Sequence, residues 1–136
     1  MRISTTSIAA SAAFVLMASL ATTTASARMQ ALMFASAPIW GSGNVVIIRG
    51  PEGCPKGQVI DIRVRMSQPS GVTGEGSFSG DCTGKHDTWM AVVHSTGLKF
   101  APGKAHAHAW ATRWTSGGAV KSWDWERDMT LKKGGS

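Results

Sequence analysis

The stretch Lys104–Trp114, KAHAHAWATRW, sets alanine at 105, 107, 109 and 111 and places larger residues between them. Strict alternation is the period of a β-strand, whose successive side chains point to opposite faces. Four small apolar residues on one face predict a strand laid against a crowded interior. His106, His108 and Trp110 then share the other face, turned to solvent or toward a neighbouring strand.

The same period recurs on either side. Asn44–Arg49 (NVVIIR) is a β-branched run, and Gly50-Pro51 reads as the turn that ends it. Gln58–Met66 (QVIDIRVRM) sends Ile60, Ile62, Val64 and Met66 one way and Asp61, Arg63 and Arg65 the other. Thr88–His94 (TWMAVVH) aligns Trp89, Ala91 and Val93, and Ser122–Leu131 (SWDWERDMTL) closes the set. Gly71–Gly80 is rich in glycine and serine but retains room for a short strand. Gly, Pro and Ser punctuate these runs, and no helix-period segment follows the N-terminus. The expected fold is therefore all-β: an immunoglobulin-like antiparallel β-sandwich of six or seven short strands. A small closed barrel is the alternative. The sandwich is expected over residues 38–131, with 28–37 a flexible lead-in or edge strand and 132–136 a tail.

The N-terminus bears on compartment. Arg2 precedes an apolar run, Ile8–Leu20, and Ala25-Ser26-Ala27 supplies the small residues of a cleavage site. That order predicts a helical secretory signal peptide over residues 1–27. The run falls short of the roughly 20 residues of a bilayer span, so no transmembrane anchor is expected after cleavage. Cys54 and Cys82 are the only cysteines and lack the C-x-x-C spacing of a redox or metal site. In an oxidising compartment they are expected to pair, worth roughly 3–4 kcal/mol by chain entropy. The expected location is extracellular.

The whole chain carries a formal net charge of +6, scattered rather than clustered. A mildly basic surface suits weak adhesion to anionic wall polymers or lipid headgroups. With export expected and no basic run interleaved with aromatics, no nucleic-acid partner is expected.

Framework motifs add a resemblance. They are CPKG at Cys54–Gly57, the strand end Met66-Ser67-Gln68, GDCTG at Gly80–Gly84, TWMAVV, and FAPGKA at Phe100–Ala105. Trp125, Met129 and Leu131 close the series. Over about Asn44–Leu131 the chain resembles small exported proteins of actinobacteria, a group of unknown function. The resemblance implies export, one disulfide and a sandwich, and it carries over no catalytic residue.

Three chemistries are weighed. His106 and His108 are candidate ligands for zinc or copper if a third donor stands beside them, from His86, His94 or an acid such as Asp87. The plainer account makes them passengers on an outer face. Of six tryptophans, five lie between Trp89 and Trp125, and there is no tyrosine. Trp110, Trp114 and Trp123 are candidate glycan-binding residues if exposed, whereas Trp89 is expected in the core. Asp124, Glu126 and Asp128 alternate on one face and read as a solvated stripe. Catalytic signatures G-x-S-x-G and H-E-x-x-H are missing, and a triad of Asp87, His94 and Ser95 rests on composition alone. The expected protein is a non-catalytic secreted module without a cofactor, its partner a cell-wall polymer or a secreted protein. A rigid loop over Gly97–Gly103 leaves protease inhibition as a further reading.

Overall fold

The computed structural model describes residues 31–134 of the chain, so the expected signal helix lies outside the described residues. Seven strands follow one another: β1 (Ser36–Trp40), β2 (Val45–Gly53), β3 (Val59–Ser67), β4 (Thr73–Asp81), β5 (His86–Ser95), β6 (Gly103–Thr115) and β7 (Gly118–Lys133). Among the described residues there is no helix.

The alternation read from the sequence is present throughout. Ile60, Ile62, Val64 and Met66 are buried, as are the four alanines of β6 and Trp89, Ala91 and Val93 of β5. The expected sandwich is not. The strands close in the order β1-β2-β5-β4-β3-β6-β7, and a parallel pairing of β1 with β7 completes a barrel. A sandwich leaves each of two sheets with free edges, and here every strand has a neighbour on both sides.

Two features of the sequence explain the closure. Alanines on the inner face of β6 leave the interior to larger side chains from the other strands, among them Ile48, Ile60, Ile62, Trp89 and Leu131. Glycine lets β4 approach β5, because a Cβ on Gly76 would overlap the Val92 carbonyl. The inner face is apolar and the outer face carries Asp61, Arg63, Arg65, Asp124, Glu126 and Asp128, the reverse of a barrel facing lipid.

Gly50-Pro51, read as a turn, lies inside β2. The reason is again close approach. The backbone of residues 31–34 runs over Gly50, with Leu32 N–H donating to Pro51 O and Phe34 N–H to Arg49 O, each at 2.9 Å. Trp89 Nε1 donates to Leu32 O at 2.7 Å, above the space a side chain on Gly50 would fill. Ala31 and Met33 are buried by this path. At the other terminus β7 runs through Lys132 and Lys133, and Gly134 N–H donates to Ile39 O at 2.9 Å.

Cys54 and Cys82 form the disulfide, with Cα atoms 5.3 Å apart across a sequence separation of 28. They follow β2 and β4, which are separated in the barrel by β5. The bond therefore ties one end of the barrel across an intervening strand. A disulfide here is consistent with an extracellular location.

Candidate functional site

The outer face of β6 and β7 is built by their register. His106 lies opposite Asp128, His108 opposite Glu126, and Trp110 opposite Asp124. Because side chains alternate, the histidines of one strand and the acids of the other all emerge on the same side of the wall. They interlock. His106 Nδ1 stands 2.8 Å from Asp128 Oδ1, and its Nε2 stands 2.9 Å from Glu126 Oε1. The same glutamate oxygen is 3.8 Å from His108 Nδ1, and His108 Nε2 is 2.8 Å from Asp124 Oδ2.

The electrostatics follow. Hydrogen bonds to Asp128 and then Glu126 raise the His106 pKa above its ordinary value, outweighing the lowering effect of desolvation. The stripe of Asp124, Glu126 and Asp128 is therefore not merely solvated; each carboxylate has an imidazole partner. The sequence contained the signal, since H-x-H and D-x-E-x-D share period 2 and opposite charge suits cross-strand pairing. The register that unites them was not in view.

The expected third metal donors are elsewhere. Register runs from His108 to Arg65, Glu75 and His94 across β6, β3, β4 and β5, three strand spacings or about 14 Å. His86 and Asp87 start β5 and His94 nearly ends it. Seven residues of extended chain separate Asp87 from His94 by about 23 Å, which rules out the triad with Ser95. Among the described residues no group of three or more His, Cys, Asp or Glu side chains is placed to hold a metal ion.

Beside the ladder, Trp110 joins a second feature. His108 stacks on the indole with centroids 4.0 Å apart and planes 22° apart, and the Arg63 guanidinium lies 5.8 Å from the ring centroid. Trp110 lines an open groove of about 750 Å³ on the outer wall, together with Arg63, Arg65, Met90, Val92 and His94. Arg65 meets Glu75 only at 4.0 Å, and Arg63 has no carboxylate partner among the described residues. These arginines were read from the sequence only as the polar side of a strand.

The three candidate tryptophans do not form one row. Trp110 and Trp114 are exposed on the outer wall of β6, whereas Trp123 is partly buried against the core from within. Trp123 stacks near Trp125 at 6.4 Å and lies under Arg113 and Lys121 at 5.8 and 5.7 Å. Trp125 in turn meets Trp89 edge to face at 6.4 Å. The loop at Gly97–Gly103 exposes Leu98 but buries Phe100, and Gln68 ties it through both Ala101 N–H and Ala101 O.

At the disulfide end the interior turns polar. Glu52 is only 5% exposed and Arg113 9%, and Glu52 Oε2, Arg113 Nε, Gln58 Oε1 and Trp123 Nε1 are buried without partners. Burial and then the nearby Asp87 charge push the Glu52 pKa up. Neither the family models nor the curated proteins contain a match to the chain.

Proposed function

We propose that the protein is exported and acts as a non-catalytic binding module, its ligand an anionic polymer of the cell surface. The groove beside Trp110 carries this reading. Two guanidiniums on consecutive outer positions of β3 flank an apolar shelf of Met90, Val92 and Trp110. Arginine pairs bidentately with carboxylate or phosphate, and these two have little else to pair with. The neighbouring carboxylates of β7 are engaged by His106 and His108 and do not reach over to neutralise them.

The same geometry disfavours stacking of a neutral sugar on Trp110, because the His108 imidazole already covers one face of the indole. Trp114 and Trp123 offer no second ring alongside. Charge rather than ring stacking is therefore the basis of recognition. Export rests on the signal sequence and is supported by the disulfide.

The test is binding of the disulfide-bonded protein to a soluble phosphodiester-linked glycopolymer and to the same glycan without phosphate. Tight binding is expected for the charged form alone, weakening as salt rises. Arg63→Ala with Arg65→Ala should lower the affinity at least tenfold. Equal binding of the neutral glycan, or indifference to both arginines, would overturn the reading.

A further inference from the structure

We propose that the unpaired edge of β5 is the second bank of the groove beside Trp110, where the Met90 backbone holds the anion of a polyol phosphate chain. The inference rests on the binding reading given above and names its ligand more closely. Its starting point is a seam in the barrel wall. β5 pairs with β2 along its length, from His86 opposite Gly53 to His94 opposite Val45. On its other side it meets β4 only at Gly74–Ser95 and Glu75–His94. From Gly76 to Asp81, β4 continues in register with β3 alone. The wall is therefore closed at one end of this seam and parted along the rest.

Backbone direction decides what the parted edge offers. Ser95 N–H donates to Asn44 O on the β2 side at 2.9 Å, and Thr96 N–H donates to Thr73 O on the β4 side at 3.0 Å. Successive residues of a strand turn their backbone groups to opposite sides. Thr88, Met90 and Val92 consequently aim N–H and C=O across the seam, while Trp89, Ala91 and Val93 aim theirs at β2. Gly76 covers the Val92 carbonyl, since a Cβ added to Gly76 would overlap it. Met90 is the next residue to face the seam, and no pairing with β4 reaches it among the described residues. Its side chain is exposed and lines the groove with Val92 and Trp110.

The ligand follows from the chemistry of the two banks. An unpaired backbone N–H aimed into a groove donates to an anionic oxygen, and hydrogen bonds to charged groups are the stronger kind. Arg63 and Arg65 stand across from it on β3, and Glu75, 4.0 Å from Arg65, is the one carboxylate in the lining. The Met90 carbonyl beside that N–H requires a donor next to the acceptor. A phosphodiester oxygen flanked by a free hydroxyl supplies both. An acidic peptide adding as a strand needs a continuous run of such backbone pairs, and Gly76 interrupts the run at Val92.

Met90→Pro and Met90→Ala separate backbone from side chain. Proline removes the N–H that faces the seam and no bond to β2, which is the edge position a strand tolerates. Calorimetry with a soluble glycerol-phosphate oligomer should find binding weakened about 10–100-fold in Met90→Pro and little changed in Met90→Ala. Amide exchange adds a readout on the native protein that stands even if Met90→Pro fails to fold. The Met90 amide should exchange at least about tenfold faster than that of Ala91, and saturating oligomer should slow it. Arginine-dependent binding that Met90→Pro retains would overturn this inference and leave the binding reading intact. A Met90 amide as protected as that of Ala91, or tighter binding of an acidic peptide of equal charge, would overturn it too. Failure of the native protein to bind the oligomer would overturn both.

Discussion

The two faces of the β6–β7 wall contrast sharply although they come from the same residues in alternation. Inside, Ala105, Ala107, Ala109 and Ala111 are at most 4% exposed and pack with Met129 and Leu131. Outside, His106 and His108 meet three carboxylates and Trp110 lies beside the Arg63 guanidinium, all in contact with water. The inner face works by volume, which tolerates little change. The outer face works by charge, which solvent screens. Stability is therefore concentrated on one side of a single strand and chemistry on the other. Substitutions outside should change binding without unfolding the barrel.

The largest expected effect lies with the inner framework. Replacing both Cys54 and Cys82 by serine should remove roughly 3–4 kcal/mol of stability. The melting midpoint should fall by roughly 10–25 °C for a domain of this size. Thermal melts of native and reduced protein check it; coincident curves would show that the strands alone hold that end. Next comes volume. Ala109→Leu adds three carbons where the side chain is fully buried, and overpacking of this kind costs about 1–3 kcal/mol. Thr112→Val, on the outer face of the same strand, should stay within about 0.5 kcal/mol. Urea denaturation of the two variants measures the contrast directly. Equal losses would mean that the outer face is packed as well.

The polar end of the interior gives a third prediction, of opposite sign. Burial raises the Glu52 pKa above its ordinary value of 4.5. Below that value both folded and unfolded chains carry the proton, and the residue has no effect on stability. As pH rises through the unfolded pKa, the unfolded chain ionises first and the folded state loses ground. The loss is complete above the raised folded pKa. Glu52→Gln should therefore match the native protein near pH 4 and melt at a higher temperature at pH 7. A gain that does not change with pH would show that the carboxyl is not the cause.

How far the sequence revealed this contrast depends on range. Alternation is local, so the inward sets Ile60, Ile62, Val64 and Met66 and the four alanines were legible, as was buried Trp89. The disulfide followed from having only two cysteines. Closure was not legible, because period 2 assigns a residue to a face and leaves strand neighbours open; sandwich and barrel share the pattern. Gly50-Pro51 resembled a turn because the backbone of Leu32 that needs the missing side chain arrives from another part of the chain. The histidines and the acids of β7 were each legible as a stripe, but their meeting depends on the turn between Thr115 and Gly118 and on a register shift at Arg113/Trp114. The groove is less legible still, since its lining comes from β3, β4, β5 and β6, brought together by non-local strand pairing.

The smallest expected effect lies on the outer ladder, and it makes the sharpest test of the contrast. Glu126→Gln removes the one carboxylate that both imidazoles face. A stabilising charge zipper would then lose two ion pairs at once. Yet the glutamate side chain is 59% exposed, and exposed pairs of this kind contribute about 0–1 kcal/mol, less as salt increases. Glutamine also keeps a carbonyl oxygen for the His106 Nε2 proton. The unfolding free energy should therefore move by no more than about 0.5 kcal/mol, and raising salt should shrink even that difference. A loss above 2 kcal/mol would place the ladder among the supports of the fold and erase the division between the two faces. A negligible loss would confirm that the outer ladder contributes charge and not support to the barrel.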